Sequence, residues 1–227
     1  MKYNEFEKIM SKPRMDRYLI ACSGDSRKAM TLYRINLNLS QQMFTIISCF
    51  EIALRNKIDE HYTLIYGNDW LKNSIQIGGF FNGKKTWRTK KTLVASLKKL
   101  NSNYTHNKLV AEMDFGFWRY LFAKPQFNAG GKTLLQVFPA KPRSTPSIQY
   151  NQTFVFEELK KINNLRNRIA HHEAICFRLG HNTIDTGYVS RHYSLILNLF
   201  NWMSIDEKGL LYGIDKVNTS INKINSL

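Results

Sequence analysis

The stretch QQMFTIISCFEIALRNKIDEHYTLIYG, residues Gln41–Gly67, decides the fold class. Its apolar residues recur at intervals of three and four, the spacing that places them on one face of an α-helix. Ser40 is predicted to cap this helix and Gly67 to end it. Long stretches that alternate with period two are absent from the chain, so the sequence predicts an all-α protein. The apolar face consists of Met43, Phe44, Ile47, Phe50, Leu54, Ile58 and Ile65.

Two charged residues interrupt this apolar face. Glu51 lies close to its centre, and Arg55 follows one turn later at the i+4 spacing that suits an ion pair. A charge that is removed from water must be paired or hydrogen-bonded. A buried ion pair that fixes the register of the helix would explain the pattern. A supporting role in a functional site would explain it equally, and the two interpretations are compatible.

A second polar patch lies in LRNRIAHHEAI, residues 165–175. Its helix is predicted to begin at Asn151, and Arg166 falls at the edge of its apolar arc. Asn163, Asn167 and His171 follow one another along the adjoining flank. The arc consists of Phe154, Leu159, Ile162, Leu165 and Ile169.

Arg166 and His171 would lie about 140° apart around an ideal helix. They could serve one substrate only if the helix bends or ends near Ala170, or if a second copy of the site contributes. The alternative for His171 and His172 is that they are ordinary capping or surface histidines. On a helical wheel, His172 falls back on the apolar arc. This position predicts that His172 packs against or bonds to a neighbour, with Glu173 as an orienting carboxylate.

The charge of the chain is strongly positive and unevenly distributed. The formal net charge is +16. The stretch from Trp70 to Phe156 contains fourteen Lys and Arg residues, and its only acidic residues are Glu112 and Asp114. Such a field favours a polyanionic partner, most often nucleic acid. A solvated cationic surface without a partner is the alternative. Residues predicted to hold RNA are Lys84, Lys85, Trp87, Arg88, Lys90, Lys91, Lys98 and Lys99.

Trp87 and Phe81 lie among these basic residues and are candidates to stack on single-stranded bases. Trp87 could instead belong to the core of its own helix. The basic region, residues 70–150, is predicted to be an insertion-like segment with two loops, within a single helical domain over residues 1–227. Further helices are predicted to begin near Asp25 and to follow a Thr105 cap as far as Pro125.

Other features limit the class of protein. No apolar run approaches the roughly 20 residues that a membrane span needs, and the first ten residues lack the apolar stretch of a signal peptide. We therefore expect a cytoplasmic protein without a membrane partner. Three cysteines without a CxxC pair indicate reduced thiols. No cluster of carboxylates or metal ligands is evident, so we expect neither a metal nor another cofactor.

The segments EIALRNKI, FGFWRYLF and LRNRIAHHEAI together resemble the Abi-like (abortive-infection) proteins of bacterial phage defence. Within the last segment, RNRIAH resembles the RX4-6H signature of HEPN domains. The resemblance covers roughly Met1 to Met203. It implies a HEPN-like helical bundle, pairing of two motifs in a homodimer, and metal-independent ribonuclease activity. The matching positions are Arg166, Asn167 and His171, which would be catalytic.

Arg55, Asn56 and His61 also fit the loose RX4-6H pattern. His61 falls on the apolar arc, about 120° from Arg55, so we expect this copy to be non-catalytic. Glu51, Arg55 and Asn56 are instead predicted to support the catalytic site from a neighbouring helix.

The residue types suit RNA cleavage. Histidine can act as base or acid near neutral pH, and arginine holds phosphate oxygens while staying charged. Attack by the 2′-OH would leave a 2′,3′-cyclic phosphate and a 5′-OH, without a metal. Two other functions stay open: a non-catalytic module that binds a regulatory RNA, and a structural or interaction protein in which the polar residues only lock the bundle.

Overall fold

The computed structural model describes the whole chain, Met1–Leu227, and confirms the all-α prediction. It contains twelve α-helices, three short 3-10 helices and one isolated antiparallel bridge between Phe177 and Ile184. None of the helices is both long enough and apolar enough to cross a membrane. The α-helices are α1 (Tyr3–Met10), α2 (Lys12–Ala21), α3 (Ser26–Tyr66), α4 (Trp70–Asn73), α5 (Trp87–Leu100), α6 (His106–Glu112), α7 (Phe115–Tyr120), α8 (Lys124–Ala129), α9 (Gln152–Ala170), α10 (Gly187–Trp202), α11 (Glu207–Leu210) and α12 (Val217–Asn225).

Helix α3 runs without interruption for 41 residues. The prediction of a helix start near Asp25 is confirmed, because Asp25 Oδ1 accepts hydrogen bonds from the backbone N–H groups of Arg27 and Lys28. The prediction that Ser40 caps a separate helix is wrong. Leu39 and Met43 are both fully buried on either side of Ser40, so the same apolar stripe continues through it. A serine inside a helix costs too little to break it.

The segment after Thr105 forms two helices where one was predicted. Thr105 does cap α6, since its hydroxyl accepts from the backbone N–H of Lys108 at 3.2 Å. Met113 then adopts an extended conformation, and Asp114 caps α7 by accepting from the backbone N–H of Phe117 at 2.7 Å. An aspartate in this position is a strong helix start, so α6 ends and α7 begins.

The chain divides into two compact units, and three of the four boundaries fall within α3, α9 and α10, while the fourth lies at the start of α11. Unit 1 comprises 1–48, 164–197 and 207–227, and unit 2 comprises 49–163 and 198–206.

Aromatic side chains form the core of unit 1. The ring of Tyr18 packs edge-on against Tyr33 and Phe177, with centroids 5.1 and 5.0 Å away. Asn36, only 3% exposed, accepts from the backbone N–H groups of Ile175 and Cys176 at 3.0 and 3.2 Å. This buried carboxamide fixes the chain that follows α9 against α3 within the same unit.

Unit 2 has its own aromatic core and a half-buried cluster of hydrogen bonds centred on Asp59. Phe50 packs edge-on against Phe115 and Phe200. Asp59 Oδ1 accepts from Trp70 Nε1 at 2.7 Å and lies 2.7 Å from His106 Nε2. These contacts hold α4 and α6 to the second half of α3.

Candidate active site and RNA-binding face

Helix α9 presents the predicted catalytic motif near its end. Asn151 caps the helix as predicted, because its Oδ1 accepts from the backbone N–H of Phe154 at 3.0 Å. Four of the five predicted arc residues are buried: Leu159, Ile162, Leu165 and Ile169. Arg166, predicted at the edge of this arc, is half-buried, and Asn167 on the adjoining flank is exposed. The wheel therefore placed both motif residues correctly.

The helix ends at Ala170, which satisfies the condition set by the angle between Arg166 and His171. The backbone N–H of His172 donates to the carbonyl of Ile169 at 3.0 Å, and that of Glu173 donates to the carbonyl of Arg168 at 2.9 Å. This pair of bonds is a Schellman motif, with His172 in the left-handed conformation at φ +56°. His171 is therefore the C-cap residue and stands just outside the helix.

Arg168 holds the turn after the helix, a role that the sequence did not predict. Its Nε donates to Glu173 Oε2 at 3.0 Å, its Nη2 donates to the carbonyl of Ala174 at 2.9 Å, and its guanidinium lies over the ring of Tyr188. Arg168 stands inside the motif stretch, so its position in the last turn of a helix was the signal that could have indicated this role.

Two arginines of α2 also hold this segment. Arg14 Nη1 donates to the carbonyl of His172 at 2.8 Å, and Arg17 Nη2 donates to the carbonyl of His181 at 2.6 Å. The guanidinium of Arg17 also lies 4.4 Å from the ring centroid of Phe177. The partners are separated by more than 150 positions, so no local pattern indicates these bonds.

The histidines and Glu173 differ from two predictions. His171 is exposed, as expected for a residue on the polar flank. His172 is also exposed, so the prediction that it packs on the apolar arc is wrong, because the helix ends before it. The carboxylate of Glu173 accepts a hydrogen bond from Arg168, and the prediction that it orients His172 is therefore wrong.

The polar patch of α3 is less deeply placed than predicted. Glu51 and Arg55 are half-buried, and Asn56 is exposed. The expectation that both charges are buried is corrected accordingly. Arg55 Nε donates to Asn56 Oδ1 at 3.3 Å. That these three residues support a catalytic site stays a prediction.

His61, which was predicted to be non-catalytic, has a defined environment within unit 2. Its Nε2 lies 2.9 Å from the hydroxyl of Thr133, and burial lowers the pKa of its imidazole. It also borders a pocket of about 160 Å³ together with Glu60 and Gln136.

The basic residues around α5 are mostly at the surface. Lys90 is the exception, being half-buried with its Nζ on Asn82 Oδ1 at 2.5 Å. Lys99 is exposed but pairs with Glu112 at 2.7 Å. The other predicted RNA-binding cations are all exposed, which leaves them accessible to phosphates: Lys84, Lys85, Arg88, Lys91 and Lys98.

Trp87 and Phe81, the two candidates for base stacking, differ in their exposure to solvent. Trp87 is 53% exposed, so the interpretation as a core residue is wrong and its ring can reach a ligand. Phe81 is fully buried, and the prediction that it stacks on bases is wrong. Phe81 instead packs against Phe80, with ring centroids 4.5 Å apart.

Comparison with known protein families gives a match over most of the chain. The model of the family described as Abi-like protein matches residues 2–176, about three quarters of the chain. The chain belongs to the Abi-like family. No curated protein and no solved structure matches it.

Membership in the Abi-like family connects the chain with abortive infection, a form of defence against phage. The matched range contains the three segments that carry the resemblance, including the motif residues Arg166, Asn167 and His171. No group of three or more His, Cys, Asp or Glu side chains is arranged to hold a metal ion in this Abi-like chain.

Proposed function

We propose that this Abi-like protein is a metal-independent endoribonuclease of abortive-infection defence, acting in the cytoplasm as a homodimer. The observation that carries the proposal is the end of α9 at Ala170, which leaves His171 exposed at the C-cap beside Asn167. Arg166, Asn167 and His171 match the Arg-Asn-x-x-x-His form of the HEPN motif. The basic face around α5 supports RNA as the substrate.

The chemistry uses the nucleophile that RNA already carries. A base removes the proton of a 2′-OH, the oxygen attacks the adjacent phosphorus, and an acid protonates the leaving 5′-oxygen. The products are a 2′,3′-cyclic phosphate and a 5′-OH. His171 is suited to proton transfer, since imidazole can be acid or base near neutral pH. Arg166 supplies positive charge to the phosphoryl oxygens in the transition state.

Two histidines are needed if one acts as base while the other acts as acid. A homodimer provides them, one His171 from each protomer. Asn167 would donate to a phosphate oxygen or hold the tautomer of the imidazole. The exposure of Asn167 and His171 supports this arrangement, because a second copy of the chain can approach them.

The decisive experiment measures cleavage of a labelled RNA in EDTA. We expect cleavage to persist in EDTA and to leave 5′-OH ends, which a polynucleotide kinase labels without prior phosphatase treatment. In His171→Ala, cleavage should fall by roughly 10²–10⁴ while RNA affinity changes little. His181→Ala is the matched control, because His181 is exposed and contributes only its backbone carbonyl to Arg17.

The same experiment separates the alternatives. Full cleavage by a folded His171→Ala protein, or activity that requires a divalent metal, would contradict the proposed mechanism. Tight RNA binding without cleavage would favour the non-catalytic module, which the exposed Trp87 supports independently. A protein that neither binds nor cleaves RNA would leave the structural or interaction role.

A further inference from the structure

A cleft of about 470 Å³ opens in unit 2, beside the N-terminus of α5. Two exposed aromatic side chains border it, Trp87 from α5 and Tyr120 from α7, and two cations stand at it, Lys85 and Arg88. Gln126 from α8 also contributes to its lining. The cleft therefore combines exposed rings, positive charge and a carboxamide within one unit of the protein.

The rings of Trp87 and Tyr120 are exposed to solvent and are not needed to fill the core. Trp87 is 53% exposed and Tyr120 is 45% exposed. Tyr120 is nevertheless held in place: its ring meets Phe156 edge-on, with centroids 5.6 Å apart, and the guanidinium of Arg119 lies 4.7 Å from its centroid. Arg119 is itself buried and also lies over Phe156. A pre-positioned, half-exposed aromatic ring is the kind of surface on which a nucleobase stacks.

The polar groups of the cleft suit the edge of a base. Gln126 is only 6% exposed, and its Nε2 donates to the hydroxyl of Thr89 at 3.1 Å. This bond leaves Oε1 and the second N–H of the carboxamide for a group that enters the cleft. Asp114 uses one carboxylate oxygen to cap α7 and keeps the other as a second acceptor. Two acceptors favour a base that carries an exocyclic amino group, and the second N–H of Gln126 favours one whose neighbouring ring nitrogen is an acceptor.

We propose that this cleft binds one unstacked base of single-stranded RNA. The base lies against Trp87 and Tyr120, its amino edge meets Gln126 and Asp114, and the adjoining phosphates meet Lys85 and Arg88. Adenine and cytosine present an amino donor next to a ring-nitrogen acceptor and fit these groups, whereas uracil lacks the amino group. The inference rests on the proposed function only in taking RNA as the ligand.

The test is a fluorescence titration with the His171→Ala chain, so that cleavage does not interfere. Trp87 is the most exposed tryptophan, and a base stacked on it should quench its emission. We expect octamers of adenylate and cytidylate to bind more tightly than octauridylate. Trp87→Ala should weaken binding of the adenylate octamer by roughly 10- to 100-fold, detected by anisotropy of a labelled oligonucleotide. The salt dependence should be unchanged, because the lost side chain is neutral.

Two further variants isolate the roles. Gln126→Met keeps the length of the side chain and should reduce the preference for adenylate over uridylate, with Asp114 as the remaining acceptor, while stacking persists. Tyr212 is an 88% exposed tyrosine in unit 1, and Tyr212→Ala is therefore the matched control. It should bind the adenylate octamer as tightly as the parent does. Melting temperatures of all variants check that each one is folded.

Unchanged affinity in a folded Trp87→Ala protein would overturn the inference. Adenosine monophosphate that binds as tightly as the octamer would also overturn it, since the ligand would then be a free nucleotide. A different result would contradict the proposed function. If the unmutated chain binds RNA at the cleft but never cleaves it, the catalytic proposal is wrong and the base-binding cleft stands.

Discussion

Arg168 Nε donates to Glu173 Oε2 at 3.0 Å and joins the last turn of α9 to the segment that leaves it. The guanidinium makes a second bond to the carbonyl of Ala174 and covers the ring of Tyr188. One side chain thus connects the helix that carries the motif, the turn that exposes His171, and α10. The geometry of the candidate active site depends on a residue outside the catalytic set.

Removing this side chain should loosen the turn. In Arg168→Ala, we expect a loss of roughly 2–3 kcal/mol in the free energy of unfolding, because the protein loses two hydrogen bonds that a largely buried charged group donates. Glu173→Gln should cost at most about 1 kcal/mol, since the Glu173 side chain is 53% exposed. Urea denaturation of both variants measures the difference. An Arg168→Ala protein as stable as the parent would show that the turn does not depend on these contacts.

The left-handed conformation of His172 gives a second prediction. A residue with a side chain pays about 1–2 kcal/mol for this conformation, while glycine pays none but loses more entropy on folding. His172→Gly should therefore leave stability unchanged or raise it by up to about 1 kcal/mol, and His172→Val should lower it. The bond from Arg14 survives in both, because it ends on a backbone carbonyl.

The His172→Gly variant also identifies the histidine that transfers the proton. His172→Gly should keep RNA cleavage, since His171 is the proposed proton-transfer group. A stable His172→Gly protein that has lost cleavage would assign the chemistry to His172 instead. Denaturation and cleavage are measured on the same preparation.

The sequence predicted those parts of the site that local rules determine. Asn151 as a cap, the buried arc of α9 and the exposure of Asn167 follow from helical periodicity and from the hydrogen bonds of a helix end. The left-handed turn at His172 was missed because glycine or asparagine normally occupies that position. Without the turn, the wheel returned His172 to the apolar arc.

Long-range contacts were beyond a reading of local pattern. The bonds from Arg14 and Asn36 to the segment after α9 connect residues more than 130 positions apart. The exposure of Trp87 could not be predicted for the same reason. Its place in a basic amphipathic helix is compatible with burial or exposure, and the packing of the rest of unit 2 decides which of the two occurs.

His61 predicts a dependence of stability on pH. Burial lowers the pKa of its imidazole below the ordinary value of 6.5, so the unfolded chain binds a proton more readily than the folded one. The stabilising contribution of the neutral imidazole is therefore present above pH 6.5 and is lost as the pH falls through the lowered pKa. In His61→Gln, the decline in the free energy of unfolding between pH 7.5 and 5.5 should be smaller than in the parent. An identical decline would assign the effect to other groups.

The exposed lysines around α5 predict how RNA affinity responds to salt. For single strands, log affinity should fall with log salt at a slope of about −0.7 per neutralised phosphate. Reversing the charge of four exposed lysines should flatten that slope by up to about 3. The set is Lys84, Lys85, Lys91 and Lys98. Lys90 is left unchanged, because its bond to Asn82 ties α5 to the preceding loop and its loss would confuse folding with binding.

A control of equal net charge decides whether the position of the lysines matters. Four exposed lysines of unit 1 are reversed in the same way: Lys8, Lys208, Lys216 and Lys223. If the α5 face holds the RNA backbone, the control keeps most of the parental slope, because charges that contact no phosphate release no counterions. Equal flattening in both variants would mean that overall charge, and not the α5 face, attracts RNA. An unchanged slope in the α5 variant would remove this face from the binding site.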